Sequence, residues 1–181
     1  MQSLAKLEPA SPTISETYRQ LNRELHERNP VYGISGKKYA KEVRQLAASL
    51  DAGTILDYGC GKETLREALE PDWKVNGYDP CIPGLDAPPL PADLVVCTDV
   101  LEHVEPAHIY MVMQDIARLT QKAAFLVVDT VPAQKTLADG RNAHLLLKDS
   151  QWWLTLFMKY FNVNSFEDHG KKVVAVVTPH A

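Results

Sequence analysis

Short apolar runs alternate with helix-period stretches along most of the chain. Ser15 to about Arg28 has helical period but a mostly polar face, and Asn29-Pro30-Val31-Tyr32-Gly33 breaks it. A second helix opens at Gly36-Lys37-Lys38-Tyr39 and runs to about Leu50. Thr54-Ile55-Leu56 then reads as a buried strand that ends on Asp57 and meets two glycines, Gly59 and Gly61, before the helical stretch from Glu63 to Leu69. Trp73 to Asp79 is another strand ending on an acid, and Asp93 to Cys97 a third. Between these two, five prolines in residues 80–91 forbid a helix. Glu105-Pro106 should start a helix carrying Ile109, Met113, Ile116 and Leu119 on one face. Ala124–Asp129 is the next strand, followed by a loop to about Leu147, and Ser150 should cap a helix with Trp152, Trp153, Leu156 and Phe157. A weak strand at Phe161–Phe166 and a strong one at Lys172–Val177 close the pattern around a His169-Gly170 turn.

Strands alternating with helices imply an α/β fold, a mostly parallel doubly wound sheet in a three-layer αβα sandwich. The last two strands, joined without a helix, should add an antiparallel C-terminal edge. Residues 1–13 read as a loose lead-in, 1–50 as an N-terminal helical lid, and 51–181 as the core of a single domain.

Composition narrows the functions. The 181 residues are 45% hydrophobic with a formal net charge of −4, and the pI is about 5.8. Without a basic run, a nucleic acid partner has no electrostatic support. Three cysteines, Cys60, Cys81 and Cys97, are odd in number and lack metal spacing, which fits a reducing compartment. No apolar stretch approaches the ~20 residues of a membrane span, and the N-terminus lacks a signal peptide's apolar core, so a cytoplasmic location is expected. His108, His169 and His180 show no metal spacing, and no metal site is expected. Oligomeric state has no signature in the sequence.

Two ligand classes suit a glycine turn followed by a strand ending in acid some 20 residues on, dinucleotides and adenosyl cofactors. A dinucleotide turn needs a third glycine at position 64, which is Thr64. Asp57, two residues before the first glycine, could hold an ammonium group or a neighbouring backbone donor.

Asp57-x-Gly59-x-Gly61 resembles motif I of the class I S-adenosylmethionine-dependent methyltransferases. Gly77-Tyr78-Asp79 resembles that family's second strand, and Leu85-Asp86-Ala87 its adenine-reading segment. Thr98-Asp99-Val100-Leu101-Glu102-His103 is similar to the stretch after the fourth family strand in small-molecule, quinone-biosynthesis-like members. The resemblance covers residues 54–104 and implies a Rossmann-like fold shortened between the family's second and fourth strands, with S-adenosylmethionine as cofactor. It places the cofactor on Asp57, Tyr58, Gly59, Cys60, Gly61, Asp79, Pro80, Asp86, Ala87, Thr98, Asp99 and Val100. Asp79 would take both ribose hydroxyls. Asp99 and His103 become the catalytic candidates, His103 as a base. In similar proteins the region of Tyr32–Lys37 closes over the cofactor. Tyr32, Arg141, His144 and Trp152 are the substrate candidates.

Glu63 departs from the family, which usually carries a small residue there, and this bears on cofactor affinity. The expected activity is methyl transfer to an oxygen or nitrogen of a small polar acceptor. Three functions compete with it. A nucleic-acid methyltransferase would need an Asn/Asp-Pro-Pro-aromatic tetrad where Thr98-Asp99-Val100-Leu101 stands. A silent adenosyl-binding module would follow if Glu63 spoils the turn, and a dinucleotide oxidoreductase if the turn tolerates Thr64.

Overall fold

The computed structural model describes residues 12–180. Of the lead-in, residues 1–11 lie outside that range. Six strands form one sheet in the order β2-β1-β3-β4-β6-β5. They are β1 Ile55–Tyr58, β2 Val75–Tyr78, β3 Ala92–Thr98, β4 Thr120–Asp129, β5 Phe161–Asp168 and β6 Lys172–Pro179. The four strands from β2 to β4 are parallel, while β6 pairs antiparallel with β4 and with β5. The C-terminal strand is therefore antiparallel as expected, but it sits one place inside the sheet and β5 forms the edge. No strand forms between Asp79 and Pro91, so β2 bounds the other side.

Alternation along the strands sends side chains into two separate cores. Leu56, Val95, Cys97, Leu126, Val128 and Ala175 face α4 (Ile109–Leu119) and α5 (Ser150–Tyr160). Ile55, Leu94, Val96, Phe125 and Val127 face α2 (Ala40–Ser49) and α3 (Thr64–Leu69). Each central strand is covered on both faces, which is why its sequence reads as a continuous apolar run rather than as alternation. Packing sets boundaries that differ from the sequence reading. Val43 and Ala47 of α2 are fully buried in the second core, so α2, grouped with the lid at the sequence level, belongs to the sandwich. The helix expected from Pro106 starts at Ile109, because Pro106 lies in a turn closed by His108 N donating to Glu105 O. Asp149, not Ser150, caps α5, accepting from Trp152 N at 2.8 Å.

The remaining helix, α1 (Glu16–Arg28), joins neither core and lies at the carboxyl end of the sheet. Both its ends are tied down. Ser15, its N-cap, donates from N and Oγ to the Glu105 carboxylate at 2.9 and 2.7 Å. Beyond the other end, Lys62 Nζ donates to Asn29 O at 3.1 Å, and Lys62 N donates to Gly33 O at 2.8 Å. Gly33 and Gly61 meet backbone to backbone. A Cβ on Gly61, at φ +52°, would stand 2.5 Å from Gly33 O, and one on Gly33, at φ +78°, would stand 3.1 Å from Gly61 Cα. At Gly61 the backbone clash leaves no room for a side chain, and at Gly33 one would be strained and would push on His26.

The sheet's cover is tested at Phe157, fully buried in the first core. Phe157→Ala should destabilise the protein by about 3–5 kcal/mol through lost burial and the cavity left behind. Urea denaturation followed by circular dichroism measures it.

Candidate functional site

The chain passes from β1 outward to β2 and then back across to β3, so the strand order reverses between β1 and β3. Open parallel sheets bind ligands at the carboxyl ends of strands at such a switch point. A cavity of about 630 Å³ lies there, within the range of small-molecule sites. The segment that follows β1 makes its floor. Gly59 N and Cys60 N both donate to Tyr78 O, at 2.7 and 3.0 Å, tying the turn to β2. Asp57, Tyr58, Gly59, Cys60 and Gly61 all line the cavity.

Asp79, at the end of β2, faces the turn. Its Oδ2 accepts from Gly61 N at 3.1 Å and its Oδ1 from Cys81 N at 2.9 Å. His26 of α1 comes within 4.0 Å of Oδ2. Burial raises the Asp79 carboxyl against the pull of His26 and the two N–H donors, and burial lowers the His26 imidazole. Asp57 is pushed up to about 7, first by burial and then by the charges of Asp79 and Glu63, with Arg66 opposing.

Three polar residues of α1 line the same cavity at helical spacing, Tyr18, Asn22 and His26. The Tyr18 hydroxyl, Asn22 Oδ1 and His26 Nδ1 are buried without a hydrogen-bond partner among the described residues. Sequence reasoning missed them, although the i, i+4, i+8 spacing of polar groups on one face was the available signal.

Tyr32, His103 and His144 also come together at the cavity from three chain segments, the Tyr32 ring standing 4.6 Å from His26 on one side and 5.7 Å from His103 on the other. The His103 and His144 rings stand edge to face at 4.7 Å, and the Tyr32 hydroxyl lies 3.3 Å from His103 Nδ1. Burial, with His144 adding, pulls the His103 imidazole down to about 3, although the Ala143 carbonyl opposes this. That is far from the near-neutral pKa a general base needs. Asn142 clamps the loop after β4. Its Oδ1 accepts from Ala133 N and His144 N, and its Nδ2 donates to Ala133 O. Thr98, Asp99 and Val100, at the end of β3, also line the cavity, with Val100 against Gly59 of the turn.

Several expected residues stand elsewhere. Asp86 and Ala87 are exposed, and Asp86 Oδ1 accepts from Gly84 N at 3.2 Å, closing the proline-rich loop on itself. Pro80 and Cys81 line the cavity at that side instead. Arg141 pairs with its neighbour Asp139 at 2.7 Å, away from the lining. Trp152 lies in a separate surface hollow with Tyr110 and Lys159. Lys38, not Lys37, is the lysine of the lid loop that reaches the cavity. Glu63 sits in the left-handed region at φ 55° and pairs with Arg66. Its Oε1 lies where a Cβ of Gly77 would come within 3.0 Å, so the side chain runs across β2 and stays out of the lining.

Residues 26–172 match a family model described as a methyltransferase domain. The chain belongs to this methyltransferase family. A search of the curated proteins finds no match. Solved structures share the fold at low identity. The N1-methyltransferase of 1,6-didemethyltoxoflavin from Burkholderia thailandensis, solved with that compound and S-adenosylhomocysteine, has a TM-score of 0.64 at 14% identity, over 96% of this chain and 94% of its own. The S-adenosylhomocysteine complex of DhpI gives 0.62 at 17% identity, over 89% and 95%. N-methyltransferase NodS from Bradyrhizobium japonicum WM9, also bound to S-adenosylhomocysteine, gives 0.59 at 14%, over 92% and 100%. The mostly parallel sheet with antiparallel C-terminal strands is the Rossmann-like methyltransferase fold, and S-adenosylmethionine is the methyl donor of this family.

The residues of the methyltransferase cavity fit that donor. The Asp79 carboxylate, with one N–H on each oxygen, retains lone pairs for hydroxyl donors. The Tyr18, Asn22 and His26 atoms left without partners offer further polar contacts in a buried setting, where an unmet group is unfavourable. Because the Glu63 carboxylate lies outside the lining and reaches the site only through its charge on Asp57, Glu63→Gly should tighten S-adenosylhomocysteine binding by calorimetry only at and below about pH 7, by easing Asp57 ionisation; an equal tightening at higher pH would show that the side chain does crowd the site.

Proposed function

We propose that this methyltransferase transfers a methyl group to an oxygen or nitrogen of a small polar acceptor held between Tyr32, His103 and His144. The observation that carries the reading is the convergence of those three side chains on the cavity that Asp79 and the glycine turn also line. Bound at the switch point, S-adenosylmethionine supplies the electrophilic methyl group. What the chain supplies is alignment and exclusion of water. The tied-down α1 and the Gly33–Gly61 contact cover the cavity and limit it to small molecules. Asp79 would hold the ribose, and Asp57 would face the ammonium of the methionine part. His103 acts here as an orienting group, because an imidazole pulled down to about 3 by burial is too weak a base to take a proton near neutral pH. Small acceptors are also what the didemethyltoxoflavin enzyme, of the same fold, is named for.

Calorimetric titration with S-adenosylmethionine and S-adenosylhomocysteine tests the donor, and formation of S-adenosylhomocysteine over a panel of phenols, diols and amines tests the acceptor. Absence of donor binding at millimolar ligand would overturn the reading. Asp79→Ala should weaken donor binding by about 1.5–3 kcal/mol, the range for a hydrogen bond to a charged group. Asp57 titrates at about 7, and only its ionised form attracts an ammonium. Donor affinity should therefore rise with pH through about 7 and fall again as the ammonium deprotonates near ~8. Asp57→Asn should remove the rising limb, which calorimetry across pH would reveal.

A further inference from the structure

Behind His103 and His144, which line the cavity, lies a buried carboxylate that methyl transfer alone does not use. Glu102 lies in the 3-10 turn after β3 with its side chain fully buried. Its Oε1 accepts from Asp129 N at 3.0 Å, while Oε2 is sealed from solvent without a partner among the described residues. A buried carboxylate oxygen left that way is strongly unfavourable, and adding a proton only exchanges an unmet acceptor for an unmet O–H donor. A cation beside it removes the penalty.

The two imidazoles complete the set. His103 Nδ1 lies 2.9 Å from Ala143 O and His144 Nδ1 lies 2.6 Å from Val131 O. A carbonyl only accepts, so each Nδ1 carries the proton and each Nε2 keeps its lone pair. Metal-bound histidines are held in this way, with the second ring nitrogen donating to a carbonyl or carboxylate. One donor atom from each of Glu102, His103 and His144 lies within 4.8 Å of the other two. Ligands at the ~2.0–2.2 Å of metal–ligand bonds stand no more than about 4.4 Å apart, so a cation draws in any pair standing at the outer limit of this group.

We propose that Glu102, His103 and His144 form a site for one first-row divalent cation, with a coordination position open toward the cavity for an oxygen of the acceptor. No spacing in the chain points to it, since His103 and His144 are far apart in sequence and only the Asn142-clamped loop brings them together. Two imidazoles and one carboxylate suit Zn²⁺, Fe²⁺, Co²⁺ or Mn²⁺ over the all-oxygen preference of Mg²⁺ and Ca²⁺. Asp99, Glu102 and Asp129 form a second, all-carboxylate group that shares Glu102. Its carboxylates lack the pre-oriented nitrogens, and three negative charges would have to be gathered in a buried place. The metal site stands apart from the methyl-transfer reading, but its consequence for the acceptor rests on that reading. A hydroxyl bound at the cation loses its proton to solvent more readily. The oxygen then forms the new C–O bond as the sulfur takes the electron pair of the broken S–C bond. The acceptor class is thereby an alcohol or phenol.

The full chain, stripped with chelator, is reloaded with Zn²⁺, Mn²⁺ or Mg²⁺ in turn, desalted, and its metal measured by mass spectrometry. S-adenosylhomocysteine is titrated into the same samples. Retention of about one equivalent of Zn²⁺ or Mn²⁺ is expected, with little Mg²⁺. His144→Ala and Glu102→Gln should each weaken metal affinity at least about ten-fold, with S-adenosylhomocysteine affinity unchanged. If Glu102→Gln does not fold by circular dichroism, His144→Ala decides. Failure of the wild-type chain to retain metal, wild-type affinity in the variants, or a preference for Mg²⁺ lost only in Asp99→Asn would overturn the site. Metal retention without S-adenosylhomocysteine binding would instead overturn the methyl-donor reading alone.

Discussion

Two glycine backbones pressed against each other hold this molecule's site together. The Gly33–Gly61 contact, with Lys62 N donating to Gly33 O, joins the segment after α1 to the turn after β1. Gly61 has no room for a Cβ against the Gly33 backbone, and Gly33, at positive φ, would be strained by one, so two residues are constrained for the sake of one close approach. That approach sets the height of α1 over the sheet. It brings His26 to Asp79 and Tyr32 to His103, and so sets two contacts of the cavity at once.

Polar atoms are concentrated in this cavity to a degree the rest of the protein avoids. Both cores are largely apolar, and five buried charged or polar residues, Asp57, Asp79, Thr98, Glu102 and His144, gather toward the carboxyl ends of the strands, whereas Asp115 of α4 is met by Tyr58 and Arg118, and Thr120 opens β4. Each loses hydration. Backbone N–H groups replace part of it for Asp79 and Glu102, and the unmet atoms of Tyr18, Asn22, His26 and Asp99 belong to residues that line the cavity. Stability is thus lowered locally to keep binding groups ready.

How much of this was legible in the chain depends on how local each feature is. Asp57, Gly59, Gly61 and Asp79 could be read because strand, turn and acid follow one another without interruption, and all four line the cavity. Thr98, Asp99 and Val100 were readable for the same reason. Asp86 misled because an acid in a proline-rich loop can satisfy its own backbone, as it does on Gly84 N. Arg141 likewise neutralises its charge on Asp139, two residues away. Trp152 and Trp153 show the limit of composition, since helical geometry sends one to the surface hollow and the other into the core. Tyr18, Asn22 and His26 went unseen because a polar face turned toward a cavity has the same sequence pattern as one turned toward water. Glu102 was hidden by its neighbours, being the acid of its turn that points inward.

The placement of β6 bears on how the chain assembles as it is made. β5 leaves the ribosome before β6, yet β6 must lie between β4 and β5. Until Lys172–Pro179 emerges, the edge of β4 from Ala124 to Asp129 has no neighbour, and β5 has nothing in the sheet to join. An exposed apolar edge of that kind invites pairing with other chains. The nascent protein therefore carries an aggregation hazard from the emergence of β4 until β6 arrives, and the tight His169-Gly170 hairpin, by delivering β6 immediately after β5, shortens only the last step of it.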